Sequence, residues 1–149
     1  MKYFISSDHA GINIKDYVKE LFEKAGHKVE DLGPYNNDRV DYPDFAAKVC
    51  KEVLANEGTK GILICGTGLG MSMSANKFDG IRAALCHNSY SAAMAREHND
   101  ANVLCLGERV SGYGTIESIV NAWNSNQFAG GRHSGRVDKI NNLFGSCRV

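Results

Sequence analysis

The stretch Gly61-Ile62-Leu63-Ile64-Cys65-Gly66-Thr67-Gly68-Leu69-Gly70-Met71 decides the fold. Ile62 to Ile64 is too short an apolar run for a helix and has the β-branched content of a buried strand. Glycines at 66, 68 and 70 remove every second side chain, so the backbone can turn tightly and approach a ligand closely. Helical spacing begins at about Met71. A glycine loop leading from strand to helix presents backbone N–H groups to anything negatively charged. Cys65 sits at its mouth, where those dipoles favour a thiolate.

Similar units lie on either side. Tyr3 to Ser6 reads as a first strand, followed by Asp8-His9-Ala10-Gly11. Ile14, Val18, Leu21, Phe22 and Ala25 then recur at helical spacing until Gly26 stops the helix. Lys28 to Leu32 is a second strand, and Pro34 to Asp41 a polar turn. Asp41, Pro43 and Asp44 mark a helix start, with Phe45, Ala46, Val49, Val53 and Leu54 as its apolar face. Beyond the glycine loop, a short helix runs from about Met71 to Lys77 and a fourth strand from Ile81 to Cys86. A helix from Ser89 to about Glu97, with Tyr90, Ala93 and Met94 inward, leads to a fifth strand, Val103 to Leu106. Ile116, Ile119, Val120 and Trp123 mark a fifth helix; Gly130-Gly131 precedes a last one carrying Val137, Ile140, Leu143 and Phe144. Five strands alternating with helices predict an α/β fold with a Rossmann-like parallel sheet covered on both faces.

At 149 residues, with only two prolines and no low-complexity segment, the chain is expected to form one domain over 1–149. Seventeen basic and seventeen acidic residues balance, which argues against a nucleic-acid partner that needs a basic surface. No apolar run approaches membrane-spanning length, and Asp8 comes too early for a signal peptide, so a cytoplasmic protein away from membranes is expected. Cys50, Cys65, Cys86, Cys105 and Cys147 are odd in number, widely spaced and without a C-x-x-C pattern. They suit a reducing compartment better than a disulfide framework or a zinc site, and no metal or cofactor is expected.

In open parallel sheets the ligand lies outside the carboxyl ends of the strands. Asp8-His9, the Gly66 to Gly70 loop, His87 and Gly107-Glu108-Arg109 all follow strands. Cys65 alone would read as packing, as Cys50, Cys86 and Cys105 do; the loop sets it apart. Gly66, Gly68 and Gly70 echo a dinucleotide fingerprint, but that motif follows a first strand and is answered by an acidic residue, whereas here the answering position reads Cys86-His87-Asn88. Arg132 and Arg136, four apart at a helix start, read either as solvated charge or as a phosphate clamp. His98-Asn99-Asp100 reads as a helix stop and as a polar cluster at once, while His27 and His87 read as surface or loop histidines.

Together these residues resemble the type B ribose-5-phosphate isomerases, a family that also contains galactose-6-phosphate and allose-6-phosphate isomerases. The resemblance rests on Ser7-Asp8-His9-Ala10-Gly11, Val40-Asp41-Tyr42-Pro43, Gly61 to Gly70, Ala75-Asn76-Lys77, Tyr90-Ser91-Ala92, His98-Asn99-Asp100-Ala101-Asn102, and Gly130-Gly131-Arg132-His133 with Arg136. It implies a three-layer α/β/α sandwich around a five-stranded parallel sheet. It also implies metal-free interconversion of ribose 5-phosphate and ribulose 5-phosphate through an enediolate, a step of pentose phosphate metabolism. By resemblance Cys65 is the base that moves the proton between C1 and C2, His98 opens the sugar ring, and Thr67 assists. The backbone of Gly66, Thr67, Gly68, Leu69 and Gly70 would hold the enediolate oxygen. Asp8, His9 and Asn99 would bind hydroxyls or the phosphate end, and Arg109, Arg132 and Arg136 the phosphate. One branch of the family uses a glutamate just after the glycine loop; Met71 stands there in this chain, which leaves Cys65 as the base. Relatives form dimers or dimer pairs with sites shared between subunits. The alternatives are a six-carbon sugar phosphate as substrate, or a non-catalytic nucleotide- or phosphate-binding module.

Overall fold

The computed structural model describes residues 1–146; the Phe144 side chain and Cys147 lie outside what is described. One sheet contains β1 (Lys2–Ser7), β2 (Lys28–Asp31), β3 (Lys60–Cys65), β4 (Ala83–Leu85) and β5 (Val103–Gly107), all parallel, in the order β2-β1-β3-β5-β4. Its helices are α1 (Ile12–Lys24), α2 (Tyr42–Ala55), α3 (Leu69–Ala75), α4 (Ser89–Glu97), α5 (Tyr113–Ser125) and α6 (Arg132–Ser146).

The three layers follow from the alternation of strand side chains. Ile62 and Ile64 point into a core with Ile14, Val18 and Phe22 of α1, Ala92 and Ala95 of α4, and Ile116, Ile119 and Trp123 of α5. Leu63 and Cys65 point the other way, onto Val49 and Val53 of α2 and Met71 and Ala75 of α3. A strand covered on both faces needs apolar residues throughout, which is why β3 and β5 read as unbroken runs. The sheet reverses its strand order between β1 and β3, and the carboxyl ends of those strands flank the resulting crevice.

The structure corrects several boundaries and faces. β4 is three residues long rather than six: it pairs with β5 only from Ala83 to Leu85, Arg82 N–H going instead to Asn102 Oδ1 at 2.8 Å. On its outer edge Ala83 N–H donates to Asn76 Oδ1 at 2.8 Å and Asn76 Nδ2 donates to the Ala83 carbonyl at 3.0 Å. The amide thus occupies bonds that a further strand would make. α3 starts at Leu69, two residues before the expected Met71. In α4 the buried residues are Ala92, Ala95 and Arg96, and Tyr90 is 74% exposed. Alanines let α4 lie close against α5, and Tyr90 is left on the outer face. In α6, Val137 is buried, but Ile140 and Leu143 are exposed. His27 is half-buried against the rings of Tyr3 and Phe22 rather than at the surface.

Two polar contacts position the crevice. Lys15 of α1 is buried and donates to Asp31 Oδ1 at 2.8 Å and to the Pro34 carbonyl at 2.6 Å, fixing the start of the loop that leads to α2. Removing one partner of such a buried pair costs about 3–5 kcal/mol. Glu108, just past β5, accepts the Ile14 N–H at 2.8 Å and so caps α1, whose own cap residue, Gly11, has no side chain to do it.

Candidate active site

Three strand ends converge at the crevice. Cys65 closes β3 with 4% of its surface exposed, and the Gly68 N–H donates to its Sγ at 3.1 Å. That turn depends on Gly68 having φ +78°: any Cβ there would be strained and would strike Leu85 and the Leu106 backbone. The Leu69 N–H donates to Thr67 Oγ1 at 3.2 Å, so two of the loop's N–H groups point at the side chains expected to act. β5 holds the loop from beneath. Glu108 N–H donates to the Cys65 carbonyl and Arg109 N–H to the Gly66 carbonyl, both at 2.9 Å. A Cβ on Gly107 would lie 2.6 Å from the Thr67 carbonyl carbon, so only glycine permits this approach. The Arg109 side chain lies across Gly66, with Nη1 3.3 Å from where a Cβ would stand.

At the end of β1, the Asp8 carboxylate accepts the Ala10 N–H at 2.9 Å and its backbone N–H donates to the Ile64 carbonyl at 3.1 Å. His9 Nδ1 lies 3.2 Å from the Val40 carbonyl oxygen and 3.3 Å from the Val40 nitrogen, contacts that orient the ring and leave Nε2 without a hydrogen bond among the described residues. The Tyr42 ring lies against Gly70, where a Cβ would come within 2.6 Å. The sequence reading carried Tyr42 only within the Val40-Asp41-Tyr42-Pro43 motif and gave it no role; its contact with the loop is non-local and has no local signature.

Cys50, Cys86 and Cys105 are packing residues, as expected. Burial pushes Cys50 up to about 12 and Cys86 up to about 11, and Cys105 is also pushed well above its usual range by burial. None of the three combines a strand end with a backbone donor from the glycine loop.

A second cluster forms elsewhere. His98 ends α4, its N–H donating to the Met94 carbonyl at 2.9 Å. The turn after it places Asp100 at φ +44°. Arg96 Nη1 donates to Asp100 Oδ1 at 3.1 Å, while Arg82 Nη2 donates to the Asp100 carbonyl at 2.8 Å and Arg82 Nε to the Asn99 carbonyl at 3.1 Å. These guanidinium groups fix the turn that displays His98 and Asn99. His133, a further residue the sequence reading left without a role, stacks on His98 with centroids 4.1 Å apart and planes at 15°. Partial burial holds His133 below its ordinary range, and the charges of His98, Arg132 and Arg136 add to the effect. Arg132 and Arg136 are exposed on the same turn of α6 and make no ion pair among the described residues.

The two clusters do not meet within one chain. Cys65 pairs with Gly107 at the carboxyl end of the sheet, whereas Gly61 donates to Asn102 and pairs with Val103 at the amino end, next to the His98 turn. The four residue steps from Gly61 to Cys65 separate the ends by about 13 Å of strand. Asp8, His9, Thr67, the glycine loop and Arg109 stand with Cys65. Asn99, Arg132 and Arg136 stand with His98.

A sheet-end thiol under a backbone donor, beside a glycine loop and an arginine at a topological switch point, is the arrangement that a small-molecule site of an α/β enzyme takes. The chain belongs to the Ribose/Galactose Isomerase family, whose profile matches residues 3–140. It is 45% identical over 139 residues to ribose-5-phosphate isomerase B of Escherichia coli K12, covering 93% of each chain. The structure of ribose-5-phosphate isomerase B from Clostridium thermocellum superposes with a TM-score of 0.94 at 51% identity, over 98% of this chain and 99% of that one. Ribose-5-phosphate isomerase B from Mycoplasma genitalium, solved with bound ribulose-5-phosphate, gives a TM-score of 0.92 at 43% identity over 97% of this chain and 96% of that one. Among the described residues, no helix is long and apolar enough to cross a membrane.

Proposed function

We propose that the chain interconverts ribose 5-phosphate and ribulose 5-phosphate through an enediolate, as a single cytoplasmic domain whose sites are completed by a second copy. The observation that carries the chemistry is the Gly68 N–H on Cys65 Sγ at the open end of the sheet. The substrate class is supported by the bound ribulose-5-phosphate of the Mycoplasma genitalium relative. The shared site is supported by the separation of Cys65 from His98 in one chain, and by Met73, Tyr90, Ile140 and Leu143 remaining exposed there.

In this reading Arg132 and Arg136 of one copy bind the phosphate together with Arg109 of the other, and Asp8, His9 and Asn99 hold hydroxyls. His98 moves a proton from the anomeric hydroxyl to the ring oxygen, opening the sugar. Cys65 then takes the proton from C2 as charge builds on the carbonyl oxygen at C1, a proton passes from the C2 hydroxyl to that oxygen, and the thiol returns to C1 a proton that can exchange with solvent. A carbon acid of this kind is weak, so donors preset at the developing oxyanion carry much of the acceleration. The loop backbone from Gly66 to Gly70 and Thr67 are the groups placed to do so. Binding energy from the distant phosphate holds C1 and C2 over the sulfur.

The test is turnover and solvent-deuterium incorporation in wild type and Cys65→Ala, with five- and six-carbon aldose phosphates offered in parallel. Alanine nearly fills the site, so folding and phosphate binding survive, while isomerisation and exchange fall by about 10²–10⁴-fold or more. A variant that exchanges at the wild-type rate would return Cys65 to packing. Faster turnover of a six-carbon sugar would reassign the substrate.

A further inference from the structure

At the amino end of the sheet a cavity of about 480 Å³ opens beside the end of α5. Lys60, Arg96 and His27 line it, together with Trp123 and Asn124, and no aspartate or glutamate does. Arg96 is only 7% exposed and uses Nη1 on Asp100 and the Ala101 carbonyl; its Nε and Nη2 make no hydrogen bond among the described residues. Among the described residues Lys60 Nζ meets only the Met1 sulfur, at 3.1 Å, a weak acceptor. His27 Nε2 is engaged with Asn124 Oδ1 at 3.1 Å, but His27 Nδ1 and Asn124 Nδ2 are buried without partners.

Donors left without partners in a buried place are costly unless something answers them. Burial lowers the Lys60 pKa first and the Arg96 charge lowers it further, while the Asp100 carboxylate pulls it back in part. A cavity of this size is in the range of small-molecule sites. Two cations converging on one spot suit a single doubly charged group better than two carboxylates spread along a chain. A guanidinium edge with two free N–H groups matches a tetrahedral oxyanion, and the lysine adds a point charge.

We propose that this cavity binds a small phosphate monoester, its dianion between Arg96 and Lys60 and its donor-seeking oxygens toward Asn124 Nδ2. None of these residues is assigned a contact with the sugar phosphate. Arg96 also grips Asp100, so an occupant is placed to act on the turn that carries His98 and Asn99.

The molecule holds its own reporter: Trp123 is the sole tryptophan, and the Arg96 guanidinium lies 5.5 Å from its ring. Trp123 fluorescence is followed while inorganic phosphate is titrated into wild type, Lys60→Gln, Lys60→Arg and Arg136→Ala. The expected result is a saturable change in wild type. Its half-saturation should rise at least roughly tenfold in Lys60→Gln, recover in Lys60→Arg and stay unmoved in Arg136→Ala. Three results would overturn the proposal: no saturable change in wild type, an undiminished response in Lys60→Gln, or a response lost in Arg136→Ala. Tighter saturation by succinate than by phosphate would overturn the phosphate assignment.

Discussion

Cys65 and His98 lie at opposite ends of one sheet, so in the shared site proposed above a chain that has lost one should still lend the other to a partner with the complementary loss. Bringing them together within one chain would mean closing about 13 Å of paired strand, which no rotamer or loop shift can do. Equal amounts of Cys65→Ala and His98→Asn chains, denatured and refolded together, should pair at random. Half of the dimers are then mixed, and each mixed dimer holds one site with both groups and one with neither. Roughly a quarter of all sites are therefore intact. Each parent alone should fall by about 10²–10⁴-fold, so the mixture should exceed its parents by about 25-fold or more. The assay is ribulose 5-phosphate formation by the co-refolded mixture against the same proteins refolded separately and then combined. If the co-refolded sample shows only the mean of its parents, the two clusters do not share a site and the division of labour proposed here is wrong.

Arg136→Ala removes an exposed charge and should leave the circular dichroism spectrum unchanged, while loss of a charge-assisted phosphate contact of about 1.5–3 kcal/mol weakens substrate binding at least roughly tenfold. Calorimetric titration checks it, and unchanged affinity would return Arg136 to ordinary surface charge. His133, held below its usual range, takes up a proton more readily unfolded than folded, so its stabilising contribution is full above about pH 6.5 and is lost as the pH falls below that. Melting temperature between about pH 7.5 and about pH 5 should therefore fall more steeply in wild type than in His133→Asn; equal slopes would clear His133 of the effect.

Much of this architecture is written locally. β3 and β5 are continuous apolar runs because both faces are covered, and the glycine loop announces itself through residues that only a tight turn requires. What local pattern misses has a common origin in contacts between distant positions. The Glu108 cap on α1 spans 94 residues, Tyr42 meets Gly70 from another helix, and His133 meets His98 across two further elements. Apolar periodicity also misleads where the partner surface is elsewhere. Tyr90, Ile140 and Leu143 carry helical spacing, yet remain exposed in a single chain. Arg96 errs the other way: a buried arginine is invisible to a hydrophobic pattern, although its stem packs and its head is paired. The same blindness hid which residues gather at which end of the sheet, since spacing along the chain does not say which end a turn occupies.

Asp100 illustrates how little latitude such a turn has for drift. Its left-handed backbone excludes most side chains at a cost of roughly 1–2 kcal/mol, which would favour glycine. Glycine, however, would strip Arg96 and Arg82 of the carboxylate that both grip. Asparagine suits the backbone but brings no charge, and glutamate brings the charge on a longer arm with a poorer backbone fit. One residue type satisfies both requirements. A lineage selected only to keep this fold would find position 100 almost frozen, so two ordinary guanidinium contacts pin the genetic freedom of a surface turn as firmly as catalysis would.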